Sequence, residues 1–351
     1  MTLVENTARP GRNLEYPFES RPEPAKTIEI RPGIHWVRMR LPMQLNHINL
    51  WLLEDDGGWT VVDTGIKNDE TTLAWEQLFS GAMRGKPVRR VIVTHMHPDH
   101  IGLAGWLVRR FEVELWITRT EYLMCRNLAA DTGLEAPREG LHFYRAAGFP
   151  EELLETYRAR FGGFGYGVYK LPNSIHRICD GDEIAVGERR WRVIVGNGHS
   201  PEHACLWCPD ESLIISGDQI LPRISSNVSV HPTEPEANSL QDWLDSCQKL
   251  KDVIPAGALV LPSHNEPFRG ADLRLQELID MHEHNMEKVL SLCAEPKRAV
   301  DCFPALFRSR ITQGNYLMAT GESLAHLNCL RARGRMEREA DKNGIHWYRS
   351  I

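Results

Sequence analysis

The sequence predicts an α/β protein that carries a smaller helical appendage at its C-terminal end. Three observations carry that expectation. Short β-rich segments crowd the first sixty residues, helix-type and strand-type patterns then alternate, and long helical periodicity takes over after about residue 271. The chain has 351 residues, of which 42% are hydrophobic and 25% charged, proportions that suit a packed core rather than global disorder.

Residues 1–26 are polar and show neither a helical nor a strand period, so they are read as an N-terminal arm that is disordered or packs on another surface. Segments 27–30, 34–40, 46–54 and 59–63 follow as a meander of strands. They are punctuated by Pro32-Gly33 and Asp55-Asp56-Gly57-Gly58. A helix is expected over 70–81, a largely buried strand over 88–94, a helix over 99–110 and a strand over 112–118. Region 119–178 breaks the alternation, with helical stretches near 120–130 and 150–160. The run Phe161-Gly-Gly-Phe-Gly-Tyr-Gly-Val-Tyr169 then alternates glycine with aromatic rings. Strands resume at 182–186, 190–197, 203–208 and 212–217, and an irregular stretch at 219–238 precedes a helix at 239–253 and a strand at 258–261. Helices are expected at 272–294, 297–308 and 321–333. Asn343-Gly344 marks a turn between two short terminal strands. The resulting division is an arm (1–26), an α/β domain (27–270) and a winged-helix-like domain (271–351).

A net charge of −6 and a pI near 6.2 argue against a chain that works by neutralising phosphates, so nucleic acid is not expected as a partner. Arg331, Arg333, Arg335 and Arg338 are read as solvated charges interleaved with Glu337 and Glu339. The eight cysteines are scattered. Cys205 and Cys208 flank Leu206-Trp207 in a strand and so face opposite sides, which favours buried thiols over a metal or redox pair. No signal-peptide core and no apolar run of membrane length stands out, so a cytoplasmic location without membrane contact is expected.

The strongest chemical signal is Thr94-His95-Met96-His97-Pro98-Asp99-His100, placed where an apolar strand ends and a helix begins. His95 and His97 are two apart, so an extended backbone turns both imidazoles to one side. Pro98 stops the strand and the turn brings Asp99 and His100 around the same space. Imidazoles and carboxylates are zinc-type ligands. Three more strand ends carry such residues: Gly198-His199-Ser200-Pro201, Gly217-Asp218 and Ser263-His264-Asn265.

Together with Asp63 in Val-Val-Asp-Thr-Gly, this order resembles the five motifs of the metallo-β-lactamase superfamily over about residues 28–268. Within it the chain looks most like the glyoxalase II group and the β-lactamase-like proteins with a C-terminal winged helix. The resemblance implies an αββα sandwich with the metals at one edge. It implies that His95, His97 and His199 bind one metal and Asp99, His100 and His264 a second. Asp218 would bridge both, and Asp63 would organise the loop without binding metal. Two Zn2+ per chain, or Mn2+ or Fe, would then generate a bridging hydroxide that attacks an ester-type bond, with Asp99 and Asp218 as the catalytic carboxylates. A small-molecule thioester, lactone or ester is the expected substrate, and a homodimer is a reasonable assembly. A ribonuclease or phosphodiesterase and a mononuclear-iron persulfide dioxygenase are the alternatives. The sequence departs from the family in Gly198-His199-Ser-Pro-Glu202-His203 and in Pro262-Ser263-His264-Asn265, which makes Glu202 and Asn265 candidates for the rim or surroundings of the site. His203 is read as a hydrogen-bonding residue before a proton donor.

Overall fold

A computed structural model describes residues 13–43 and 45–351, so residues 1–12 of the expected arm lie outside the described residues. The rest of the arm packs against the body. Leu14 is buried, and Glu15 exchanges two backbone hydrogen bonds with Arg269 at 3.3 and 2.9 Å.

The first sheet contains β1 (Thr27–Arg31), β2 (Ile34–Arg40), β3 (His47–Asp55), β4 (Gly58–Val62), β5 (Val88–Ile92), β6 (Leu115–Ile117) and β7 (His176–Arg177), side by side in that order. β1 to β4 pair antiparallel as the meander requires, and β4 to β7 pair parallel. The parallel strands are joined by α1 (Asp69–Ser80), α2 (Pro98–Ile101), α3 (Ala104–Phe111) and α4 (Arg119–Ala130), and α5 (Arg138–Ala146) and α6 (Glu151–Arg160) follow. The second sheet has the order β13-β12-β11-β10-β9-β8, made from β8 (Glu183–Val186), β9 (Arg189–Gly196), β10 (His203–Cys208), β11 (Leu213–Gly217), β12 (Leu259–Pro262) and β13 (Phe268–Arg269). α7 (Ser239–Val253) connects β11 to its parallel neighbour β12.

Side-chain alternation along the strands sorts the apolar residues into three layers. Val37, Leu50, Leu52, Val61 and Val91 face Trp75, Leu107 and Tyr122 of the helices outside the first sheet. Their neighbours Trp36, Trp51, Leu53, Val62 and Ile92 point the other way and meet Trp191, Val193, Leu206, Ile215 and Leu261 between the sheets. Ile194, Cys205, Ile214 and Val260 face the outer helices of the second sheet. The architecture is an αββα sandwich. Cys205 and Cys208 fall in different layers, and both are buried free thiols.

The C-terminal region consists of α8 (Ala271–Leu292), a single-turn 3-10 segment at Ala299–Cys302 running into α9 (Phe303–Leu306), α10 (Tyr316–Ala332) and the hairpin β14 (Met336–Ala340) and β15 (His346–Ser350). Leu275, Met281, Leu324, Leu327 and Tyr348 share one continuous apolar layer with Trp243 and Leu250 of α7.

Three local expectations are corrected. The helix expected over 99–110 is broken after α2, because Gly102 passes so close to the loop after β4 that a Cβ there would lie 2.5 Å from the Gly65 carbonyl. The helix expected over 297–308 shrinks to short turns around Pro304, whose ring removes a backbone donor. α10 starts at Tyr316 rather than 321. Gly321, which reads as a helix breaker, sits inside it because the chain at Ser229 and Val230 packs against that point, with Ser229 Oγ 2.7 Å from where a Cβ would be. α5 is an additional helix within region 119–178.

Candidate metal centre

β9, β11 and β12 run in the same direction, since β9 reaches β11 through two antiparallel steps and β12 pairs parallel with β11. Their C-terminal ends therefore open at one edge. β4 and β5 end at the same edge in the other sheet, which the backbone ties across: Ala204 N–H donates to the Thr94 carbonyl at 2.8 Å and Asn49 N–H to the Ser263 carbonyl at 2.7 Å. The Asn49 side chain donates as well to the carbonyls of Pro262 and Asn265. Strand direction and these ties gather His95, His97, Asp99 and His100 with His199, Asp218 and His264.

Ligand-type atoms within 4.8 Å of one another form three groups: His95, His97 and His199; Asp99, His100 and His264; and His95, His100 and Asp218. The two oxygens of Asp218 divide between the sets. Oδ2 lies 3.5 Å from His199 Nε2, whereas Oδ1 lies 3.5 Å from His100 Nε2 and 3.4 Å from His264 Nε2. Asp99 Oδ2 is 3.7 Å from His100 Nε2 and 3.5 Å from His264 Nε2.

Several of these rings are fixed from behind. Asp63, at the end of β4 with a left-handed φ of 61°, accepts hydrogen bonds from the Thr94 N–H and hydroxyl and pairs with His100 Nδ1 at 2.8 Å. Asp63 is 1% exposed and touches the loop rather than the opening of the site. His264 Nδ1 is 2.8 Å from the His47 carbonyl, and His199 Nδ1 is 2.8 Å from the Asn227 carbonyl. Each of the three rings thus turns its Nε2 towards Asp218. A histidine fixed through one nitrogen presents the other with a defined tautomer.

Burial pushes His95 and His97 well below the usual imidazole range, with neighbouring histidines adding to the effect, and neutral imidazole is the form that binds a cation. Burial also opposes charge on His100, but Asp218, Asp63 and Asp99 together hold it well above its ordinary value. Asp218 is likewise buried, yet His264 and His100 hold its carboxyl well below the usual carboxylate range. Protons on these imidazoles and a cation are thus competing partners for the same carboxylates. His100 Nε2, His199 Nε2 and Asp218 Oδ1 are all buried without a hydrogen-bond partner among the described residues. Orphaned polar atoms in a native interior call for an explanation, and three that converge in a nitrogen and oxygen donor set fit a divalent cation.

The departures from the family motifs acquire defined places. The Glu202 carboxylate accepts from Thr120 N–H at 2.9 Å, in the first turn of α4, and its carbonyl accepts from the Thr118 hydroxyl. Asn265 holds a left-handed φ of 68° and donates its N–H to His47 Nε2 at 2.8 Å. His203 Nε2 accepts from Asp218 N–H at 3.0 Å, and burial pushes its pKa down to about 3.

Sequence reasoning missed Glu121. This fully buried carboxylate on α4 accepts from Met96 N–H at 2.9 Å and from Glu202 N–H at 2.8 Å, joining the loops that carry His97 and His199. Its signal was an acidic residue four before Cys125, on the apolar face of an amphipathic helix. Regions 119–178 and 219–238 meet away from the motif residues. Phe143, Ala146 and Ala147 from one, and Pro232, Pro235 and Glu236 from the other, line a cavity of about 640 Å³ with Leu324 and Tyr348. The C-terminal arginines are paired, though not with Glu337 or Glu339. Arg331 and Arg338 both reach Glu236, Arg333 reaches Glu283 and Arg335 reaches Glu287, at 2.6–2.9 Å. Among the described residues no helix is long and apolar enough to cross a membrane.

Known proteins resemble this chain over two thirds of its length or more. A beta-lactamase domain protein from Burkholderia ambifaria, solved by crystallography, is 40% identical, covers 99% of this chain and 99% of its own, and superposes with a TM-score of 0.89. The probable metallo-hydrolase YqjP of Bacillus subtilis is 24% identical over 84% of this chain and 91% of its own length. The acyl-coenzyme A thioesterase MBLAC2 of Bos taurus is 25% identical over 67% of this chain and 79% of its own. A profile described as metallo-beta-lactamase-like, C-terminal domain, matches residues 286–351, and that of the metallo-beta-lactamase superfamily matches residues 44–264. A match of that extent, on a sandwich whose edge gathers the motif residues, settles the family: the chain belongs to the metallo-beta-lactamase superfamily and is one of its enzymes.

Proposed function

We propose that this enzyme hydrolyses an ester-type bond of a small molecule, with a thioester as the leading substrate class, at a centre that holds two divalent cations. The observation that carries the reading is the convergence of His100 Nε2, His199 Nε2 and Asp218 Oδ1, all buried and unpartnered, at the meeting point of two triads. His95, His97 and His199 would hold one cation, Asp99, His100 and His264 the other, and Asp218 would serve both through its two oxygens. When bound, zinc, manganese or iron supplies the Lewis acidity that polarises an acyl carbonyl and makes water nucleophilic near neutral pH.

The protein's own part is positioning. Asp63, the His47 carbonyl and the Asn227 carbonyl orient three imidazoles, His203 fixes the backbone of Asp218, and Glu121 holds the two ligand loops in register. Similarity to an acyl-coenzyme A thioesterase supports the thioester class. The pairing of the C-terminal arginines with glutamates supports a small substrate over a polyanion.

The test is metal content by plasma mass spectrometry on protein purified without chelator, followed by thiol release from acyl thioesters of graded chain length. About two zinc or manganese ions per chain with thioester turnover is the expected result. A single iron with oxygen uptake, or turnover confined to phosphodiesters, would overturn the reading.

A further inference from the structure

The supports of the candidate centre described so far come from the sandwich, with one exception. The carbonyl that fixes His199 belongs to Asn227, and Asn227 is itself held by the C-terminal helix. Its side-chain amide is clasped at both ends: Nδ2 donates to Glu322 Oε2 at 2.9 Å, and Oδ1 accepts from the Ser229 hydroxyl at 2.6 Å. The next turn of chain is tied to the same point of α10, where Val230 N–H donates to the Gly321 carbonyl at 3.0 Å. A side chain at position 321 would collide with Ser229, so the approach depends on glycine there. Upstream, the Ser226 hydroxyl donates to the carbonyl of Asp218. One strap, residues 226–230, therefore touches two ligand-type residues at one end and α10 at the other.

We propose that Glu322 is a positioning residue for the metal centre, holding the imidazole of His199 in its binding orientation through Asn227. The inference rests on the metal-binding reading of His199 given above. Glu322 is 3% exposed and has no cationic side chain paired with it among the described residues. A carboxylate in such a place is costly unless it has work to do. Burial raises its pKa to about 7, and in either protonation state it keeps an oxygen that accepts from Asn227 Nδ2. Partners one step behind a metal-binding histidine set its orientation, and their loss commonly lowers metal affinity 10- to 100-fold.

The test measures Zn2+ affinity of the full chain by competition with a chromogenic chelator, alongside the visible absorption of the Co2+-loaded protein. Glu322→Ala should weaken Zn2+ binding about 10- to 100-fold and shift the Co2+ bands. Glu322→Gln keeps an oxygen for the Asn227 amide and should restore affinity to within about threefold of wild type, a rescue that loss of mere packing would not predict. Ser229→Ala, which frees the other end of the amide, should show a smaller loss in the same direction. It also serves if Glu322→Ala does not fold. Wild-type affinity and spectra in a folded Glu322→Ala or in Ser229→Ala would overturn the proposal, as would equal losses in the Ala and Gln variants. His199→Ala is the control on the underlying reading: wild-type affinity in that variant would remove His199 from the metal set, whatever Glu322 does.

Discussion

Two clusters of buried histidine can be compared within this one chain. At the sandwich edge, His95, His100 and His264 are each at most 1% exposed, and Asp99 and Asp218 lie among their ring nitrogens. Between α8 and α10, His282 and His326 are fully buried as well, with His282 Nδ1 3.3 Å from His326 Nε2 and His326 Nδ1 2.8 Å from the Glu322 carbonyl. There, among the described residues, no third ligand-type side chain completes a set; burial pushes His326 down to about 4 and His282 well below its ordinary value, with His326 and Arg274 adding to the effect on His282. Burial alone thus makes a neutral core histidine. Carboxylates in front and hydrogen-bond acceptors behind are what make the same residue a candidate cation ligand.

The sharpest way to break that contrast is to remove a ring from the first cluster. On the proposed reading, His97→Ala should lower hydrolytic turnover by about 10³-fold or more, since several kcal/mol of metal-derived stabilisation are at stake, and circular dichroism should show the fold intact. Retention of turnover would mean that the two clusters do not differ in kind. The next effect in size concerns the acceptor behind a ring. Asp63→Asn replaces the carboxylate that pairs with His100 Nδ1 and should cost about 10- to 100-fold in metal affinity, read by chelator competition.

The smallest expected effect on activity lies in the second cluster. His326→Leu should leave turnover within about twofold and instead change how stability depends on pH. The folded-state pKa of His326, about 4, lies below the ordinary 6.5, so the unfolded chain takes up the proton first as pH falls. Stability contributed by the neutral ring is complete above about 6.5 and is lost as pH falls towards 4, by at most about 3 kcal/mol. Urea unfolding between pH 7.5 and 4.5 should therefore give a flatter profile for the leucine variant than for wild type. Equal slopes would show that this ring is not held neutral by the core.

How legible each cluster was in the sequence follows from the same contrast. His95, His97, His199, Asp218 and His264 stand in the short loops that follow apolar strand segments, with Asp99 and His100 in the turn of helix just after, and strand direction is enough to bring such positions to one edge. Their supports have no such mark. Asn227 and His47 act through backbone carbonyls, which no residue type announces. Glu121 and Glu322 sit in helices whose facing partners are 81 and 95 positions away in sequence, so only the folded chain shows what their carboxylates meet. Register told the same story in the strands, where the expected limits mostly lie within a residue or two. The helix breaks at Gly102 and Pro304, and the unbroken passage through Gly321, depended on what the backbone approaches rather than on periodicity.

The strap between Asp218 and α10 also bears on the order in which the protein is made. Translation delivers the last ligand-type residue, His264, well before Tyr316 begins the helix that carries Glu322. A nascent chain that has just emitted all seven ligand-type motif residues still lacks the clasp on Asn227 and the apolar side chains of α10 that share a core layer with α7 and α8. On the proposed reading, the support behind His199 is therefore added only with the last helix of the chain.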